Sequence, residues 1–330
     1  MISFNKKLEI SGLFLLSVLM VSCDDKNKPS LPVLLTNDIT IYTSSSASAG
    51  GHISSDGGAE VTSRGVCWST SQDPAITDSK TTDGDGTGSF NSLITELTQA
   101  TEYYVSAYAT NSVGTGYGPQ VSFITPGQVT DIDGNNYNTV TIGAQTWMSE
   151  NLKTTRYRDG SPIPYITDAA TWADLTSGAY CWYNNDPAAY KDVYGALYNF
   201  YTTRNALNLC PAGWHVPDIE EWAVLEEYLG GYDIAGGKLK STGTKEGGDG
   251  LWASPNTGAT NESFFSGLPS GVRGEALGDF YFLGGEGSFW SRTEELPWGG
   301  CYRFLYYEWN EFMNGATYEG SGFSVRCLKD

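Results

Sequence analysis

The stretch "LCPAGWHVPDIEEWAVLEEYLGG", Leu209 to Gly231, gathers residue types that do chemistry. Cys210 offers a thiol, His215 is one of two histidines in the chain, and Asp218, Glu220, Glu221, Glu226 and Glu227 offer carboxylates. Three chemistries need such groups: a cysteine–histidine nucleophile, a metal centre, and acid–base work by paired carboxylates. A zinc site would need a second histidine nearby or a Cys-x-x-Cys spacing, and neither is present. Carboxylate pairs work only at a set separation, which acids scattered through loops do not reveal. A helix accounts for most of these residues without any chemistry. Asp218 caps it, and Glu221 three positions on completes a capping box. Ile219, Trp222, Leu225 and Leu229 form one apolar stripe, and Gly230-Gly231 ends it. The remaining acids fall on the solvent side or in the first turn, where the helix dipole favours them. The segment therefore reads as scaffold, with His215 packed or hydrogen-bonded rather than a ligand.

Other candidate chemistries are weaker. No Ser/His/Asp order or Gly-x-Ser-x-Gly motif occurs. "DGDGTGSF", Asp83 to Phe90, has acids at alternate positions, but an EF-hand loop counted from Asp83 would need a glutamate where Ile94 stands. A glycine-rich hairpin turn is the expected structure. Asn256, Asn261 and Glu262 could supply oxygens to a cation, but loop capping is the better explanation of them. The formal charge of −19 repels nucleic acid phosphates and anionic lipid, so neutral or cationic ligands are the natural partners. No metal, cofactor or nucleic acid is expected. Nine of the ten tryptophans follow Val129. Aromatic faces can stack on sugar rings, or they can fill a loop-rich core. Trp298, Tyr302, Tyr307 and Trp309 lie near glycine-rich turns and are the residues expected to be exposed for a ligand.

The beginning of the chain reads as an address. Lys6 and Lys7 precede the apolar run Ile10 to Met20, which is too short to span a bilayer. "LMVSC" resembles a bacterial lipobox. Residues 1–22 are then a lipoprotein signal peptide, and lipidated Cys23 becomes the mature N-terminus; the alternative is a secretory signal with a chance cysteine. More than one acyl chain is needed for stable anchoring, as a lipoprotein cysteine provides. Residues 23–35, with "DDKNKPSLP", read as a flexible tether. Acids directly after Cys23 resemble the export signal of Bacteroidota lipoproteins. This implies an outer-membrane, lipid-anchored protein facing the cell exterior.

Residues 36–126 are rich in Thr, Ser, Gly and Tyr, with short alternating runs. In "TEYYVSAYAT", Tyr103, Val105, Ala107 and Ala109 share one face, as in a half-buried strand. "RGVCWST" and "VSFIT" are further strands, and the whole predicts an all-β sandwich. "LTQATEYYVSAYATNSVGTG" resembles a fibronectin type III domain, with Tyr103 as its corner tyrosine. Cys67 lies in the second of these strands as a buried, inert thiol.

Residues 127–330 change in texture. "DIDGNNYNTVTIGAQTWMSENL" predicts a hairpin turning at Asp133-Gly134. "YGALYNFYTTRNAL" predicts a helix, the capped segment above a second one, and glycine-rich loops with short aromatic strands follow. Two early helices and terminal strands make an α+β plan. "TIGAQTWMSENL", "GAYCWYNND", "YGALYNFY", "LCPAGWHVP", "GGKLKSTG", "NTGATNESFFSGLPSG", "FWSRTE" and "GFSVRC" occur in order and resemble the Fibrobacter succinogenes major paralogous domain. That resemblance implies a C-type lectin-like fold, more distantly similar to the formylglycine-generating sulfatase-modifying domain. Cys210, Cys327 and Cys181 match its pattern, and a Cys210–Cys327 disulfide is what it implies; a Cys181–Cys301 pair stays open. The Glu-Pro-Asn, Gln-Pro-Asp and Trp-Asn-Asp tripeptides of calcium-dependent lectins are absent, and "EWNE", Glu308 to Glu311, lacks the aspartate. The sulfatase-modifying relatives use a copper-binding cysteine pair that cannot be placed here. The expected function is a non-enzymatic cell-surface lipoprotein that binds carbohydrate or another envelope ligand through its C-terminal domain. An enzyme of the sulfatase-modifying type and a purely structural surface protein are the alternatives.

Overall fold

The computed structural model describes residues 28–295 and 299–330. The expected signal peptide, Cys23 and Trp298 lie outside the described residues. Nine strands come first: β1 (Val33–Thr36), β2 (Thr40–Thr43), β3 (Ser46–Ser55), β4 (Ser63–Ser69), β5 (Ser79–Lys80), β6 (Gly88–Ile94), β7 (Glu102–Thr110), β8 (Thr115–Tyr117) and β9 (Val121–Ile124). In one sheet β3 pairs with β1, β2 and β6; in the other β4 pairs with β5 and β7, and β7 also pairs with β8 and β9. This division of four strands on five makes a fibronectin type III-like sandwich. The first strand starts at Val33, so the end of the expected tether already belongs to a sheet.

Tyr103, Val105, Ala107 and Ala109 of β7 point into the core with Ala47, Ile53, Phe90 and Ile94. The Tyr103 hydroxyl accepts the Thr98 amide at 3.0 Å, which pins the corner before the strand. The opposite face of β7 is more covered than a half-buried strand predicts. Ser106 and Tyr108 are buried, and the Tyr108 hydroxyl donates to the Thr81 carbonyl at 2.7 Å. Cys67 is buried beside them, its thiol donating to the carbonyls of Pro74 and Ser106. Burial pushes that thiol up to about 11, which makes it a poor nucleophile. "DGDGTGSF" forms the turn into β6. The Asp83 carboxylate accepts from Thr81 and Ser92, and Arg64 donates to the carbonyls of Asp83, Gly86 and Thr87.

The remaining strands are β10 (Gly127–Thr130), β11 (Asn136–Ile142), β12 (Gln145–Met148), β13 (Tyr180–Cys181), β14 (Leu197–Tyr198), β15 (Trp214–His215), β16 (Ser270–Arg273), β17 (Phe280–Leu283), β18 (Glu286–Glu295), β19 (Gly299–Tyr306), β20 (Met313–Thr317) and β21 (Leu328–Lys329). The helices are α1 (Ala169–Ala173), α2 (Pro187–Tyr194), α3 (Phe200–Thr203), α4 (Ile219–Tyr228) and α5 (Tyr232–Leu239). One sheet runs β10-β11-β12-β21-β15 and another β17-β16-β18-β19-β20. The C-terminal strand thus lies inside a sheet begun two hundred residues earlier, between β12 and β15. A Cys210–Cys327 disulfide, with Cα atoms 6.0 Å apart, ties the approach to β15 to the residue before β21. It closes a loop of 117 residues, so most of the domain's irregular chain is bracketed by one covalent tie. Cys181 and Cys301 are both free and buried.

"YGALYNFYTTRNAL" is not one helix. Gly195 takes a positive φ and ends α2, Leu197 and Tyr198 pair with β13, and Asn199 caps the single turn α3. Apolar residues at near-helical spacing were here serving two different elements. The α5 helix carries Gly236 and Gly237 in its interior, which costs helix propensity and hid it from the pattern. A Cβ on Gly236 would stand 2.1 Å from the Glu311 carbonyl, and one on Gly237 2.0 Å from the Asn310 side chain. No helix among the described residues is long and apolar enough to cross a membrane.

The capped helix forms as its sequence requires. The Asp218 side chain accepts the Glu221 amide and the Glu221 carboxylate accepts the Asp218 amide. Trp222, Leu225 and Leu229 are buried; Ile219 at the first turn is only partly so. The Trp222 ring meets Trp147 at 4.5 Å between centroids, Phe312 at 5.8 Å and Phe289 at 6.0 Å. Its indole N–H has no hydrogen-bond partner among the described residues. Trp222→Ala should cost about 3–5 kcal/mol in urea denaturation. Trp222→Phe should cost much less, because it removes an unsatisfied donor along with the lost ring. Equal losses for the two variants would contradict this packing.

Candidate functional site: an aromatic ridge on a sheet

Strand β19 alternates strictly. Cys301, Arg303 and Leu305 are buried, while Tyr302, Phe304 and Tyr306 are half-buried on the other face. Period two puts those three rings in a row. The Tyr302 and Phe304 rings stack at 5.6 Å, 29° apart. Beyond the strand the chain turns, and Trp309 swings back to lie 4.7 Å from Tyr306 and 6.4 Å from Phe304. Trp309 is 41% exposed. At the first end of the row Tyr302–Phe304–Tyr306–Trp309, Phe323 packs on Tyr302 and on Trp290 at 4.7 and 4.5 Å; further along, Tyr307 lies 4.9 Å from Tyr306. On β20 the ring of Tyr302 lies over Gly315, where a Cβ would come within 2.7 Å of it.

Register brings an acid to the same face. Glu286 of β18 stands opposite Tyr306, Ser288 opposite Phe304 and Trp290 opposite Tyr302. The Glu286 carboxylate is part-buried and accepts from the Ser288 hydroxyl at 2.6 Å. Burial raises its pKa above the usual carboxylate range, against a lowering by Ser288. No basic side chain pairs with it among the described residues.

The turn that presents Trp309 is fixed from beneath by a buried cation. Lys240 is fully buried, and its Nζ donates to the carbonyls of Thr257 at 2.7 Å, Tyr306 at 3.1 Å and Trp309 at 2.7 Å. The Trp252 ring lies 5.7 Å from the same nitrogen. Burial lowers the Lys240 pKa to about 8. The Asn310 side chain donates to the Asp233 carbonyl and the Gly237 amide to the Asn310 carbonyl. The two glycines of α5 allow this approach.

Of the four aromatic residues singled out in the sequence, the fold brings Tyr302 and Trp309 onto one ridge. Tyr307, just past the end of β19, packs partly against the core beneath α4 and α5, with its ring 4.9 Å from that of Tyr306. The reading missed Phe304, Tyr306 and Glu286. The aromatic members were visible as the alternation in "CYRFLYYEWN"; Glu286 is placed only by strand register. His215 is clamped, with Nδ1 2.6 Å from Asp330 and Nε2 3.0 Å from Glu221, so both ring nitrogens are occupied. Asn256 donates to the Ser241 and Gly243 carbonyls, Asn261 bonds Ser266, and Glu262 pairs with Lys238. The Asn256 Oδ1 is buried without a hydrogen-bond partner among the described residues, and the other groups serve loops and α5. No group of three or more His, Cys, Asp or Glu placed to hold a metal is found among the described residues.

The sheets that carry the ridge fall within the region matched by a known family. The profile of the Fibrobacter succinogenes major domain matches residues 140–329. The chain belongs to this family. The Fibrobacter succinogenes major domain thus includes β18, β19, the Lys240 cation and both disulfide cysteines, and excludes the sandwich. No curated protein matches the chain. Solved structures similar to part of it include chicken CNTN1 FN1–FN3 domains, with 17% identity over 30% of this chain and 31% of that one, at a TM-score of 0.23. The third fibronectin III domain of human KIAA0343 protein shares 19% identity over 29% of this chain and 85% of its own, TM-score 0.23. The sixth fibronectin type III domain of human fibronectin type III domain containing protein 3 shares 22% over 32% and 91%, TM-score 0.23. The chain spans under a third of the chicken fragment's length.

Lys240→Met should keep the apolar stem of the side chain but leave carbonyls of the major domain without their donor. At about 1–3 kcal/mol per unsatisfied buried group, a loss of about 2 kcal/mol or more is expected in urea denaturation. A variant as stable as the parent would show that water replaces the ammonium.

Proposed function

We propose that this protein is a non-enzymatic, lipid-anchored cell-surface protein whose C-terminal domain binds carbohydrate on the ridge Tyr302–Phe304–Tyr306–Trp309. The observation that carries the reading is that ridge: four adjoining aromatic rings, three half-buried and the last, Trp309, exposed, with an acceptor carboxylate on the same face. Aromatic faces pack on the C–H faces of sugar rings, and carboxylates accept from hydroxyls. The acidic charge balance supports a neutral or cationic ligand. The mix of one sheet closed by the C-terminal strand, capped helices and long loops supports a C-type lectin-like α+β domain. The ridge itself needs no calcium, in keeping with the missing lectin tripeptides. In this reading the sandwich is a stalk, and Cys23 carries the lipid that holds the protein at the outer membrane, facing outward. A surface-protein ligand would use the same ridge.

A glycan array with the mature chain, with and without EDTA, tests the reading. Binding that persists in EDTA is expected, with Trp309→Ala and Tyr306→Ala each losing most of it while melting temperature changes little. An array without hits, or hits unaffected by both substitutions, would overturn it. Cys23→Ala should move the protein from the membrane fraction to the soluble one; retention would place the anchor elsewhere.

A further inference from the structure

The ridge carries a feature that stacking on neutral sugars does not need. Glu286 lies on the ridge face opposite Tyr306, and only Ser288 bonds it among the described residues. Two other part-buried acids of this domain have clear protein partners: Glu226 of α4 pairs with Arg303, and Glu221 with His215. An anion drawn partly out of water costs free energy unless it is paired. The Ser288 hydroxyl holds one carboxylate oxygen at 2.6 Å and so fixes the group's orientation, leaving the other oxygen free to accept. Tyr306 stands opposite it in the strand register, with Phe304 and Tyr302 further along the same face, and aromatic faces attract cations.

Resting on the carbohydrate-binding reading above, we propose that Glu286 and the ridge form one subsite for a protonated amino sugar. The ring C–H face stacks on Tyr306 and Trp309, and the ammonium donates to the free oxygen of Glu286. A charge-assisted bond of this kind is roughly twice as strong as a neutral one, so an ammonium is favoured there over a hydroxyl. The chain's net charge of −19 concentrates cations around it and disfavours uronic or phosphorylated sugars. The rise in the Glu286 pKa on burial agrees with a carboxylate that is left without a cation in the free protein.

Calorimetry on the mature chain with two probes separates the possibilities: a fully deacetylated chito-oligosaccharide and its N-acetylated counterpart, at mildly acidic pH, where the probe's amines are protonated, and low salt. The deacetylated probe should bind tighter by about tenfold, a modest figure for one charge-assisted contact. Glu286→Gln should erase that preference and leave the weaker binding of the acetylated probe in place. Its melting temperature should hold or rise, because the amide still accepts from Ser288 and no charge is buried; a residue kept only for stability would behave in the opposite way. Trp309→Ala should weaken both probes. Equal binding of the two probes by the parent, or a preference that survives Glu286→Gln, overturns the amino-sugar subsite and leaves the ridge reading standing. Binding of both probes that Trp309→Ala does not weaken overturns the ridge reading as well.

Discussion

Backbone carbonyls buried in irregular chain, and the cations that solvate them, set the terms of the C-terminal domain. Its loops run through the interior, where a carbonyl without a ladder partner is costly. Among the described residues, three fully buried cations supply the donors. Arg273 donates to the carbonyls of Gly278, Ile166 and Thr167. Arg326 donates to Met148, Phe265 and Ser266 and to the Asn151 side chain. Lys240 serves Thr257, Tyr306 and Trp309. Each cation also lies against an aromatic ring: Trp172 at 4.3 Å for Arg273, Phe265 at 4.5 Å for Arg326 and Trp252 at 5.7 Å for Lys240. The tryptophans and phenylalanines of this domain therefore have two uses. Some lie against cations inside, while Phe304 of β19 is half-buried and Trp309 past its end is exposed.

The ridge depends on this interior arrangement. A turn with an exposed tryptophan would wander on a loop, and a wandering ring loses entropy when it binds. Here the carbonyls at both ends of the turn, Tyr306 and Trp309, converge on one ammonium. The same segment is held laterally by α5, whose two interior glycines exist to let Asn310 and Glu311 approach. A ligand surface on a strand and a fixed turn is more pre-organised than one on free loops. Arg303, on the inward face of β19, pairs with Glu226 of α4 and so couples the ridge strand to the scaffold helix.

Much of the architecture was legible because it is local. The Asp218–Glu221 capping box, the Trp222–Leu225 stripe and the alternation of "TEYYVSAYAT" each state their element within a dozen residues. What stayed hidden depends on distant partners. Leu197 and Tyr198 look helical until β13 pairs with them. Gly236 and Gly237 argue against a helix until the turn at Asn310 explains them. Lys240, Arg273 and Arg326 read as surface residues in any sequence, since nothing local marks a lysine that will meet three carbonyls. Glu286 joins Tyr306 only through strand register, a relation across twenty residues. The aromatic half of the site could be read from alternation; its acidic half could not.

The most direct test concerns the state of the Lys240 ammonium. Selective nitrogen-15 labelling of lysine, followed by NMR across a pH titration, reports its proton exchange and its pKa together. The expected result is an ammonium signal protected from exchange, titrating near 8, with the Trp309 indole signal shifting along the same curve. A Lys240 that exchanges freely and titrates near the ordinary lysine value of about 10.4 would show that no buried cation holds the turn.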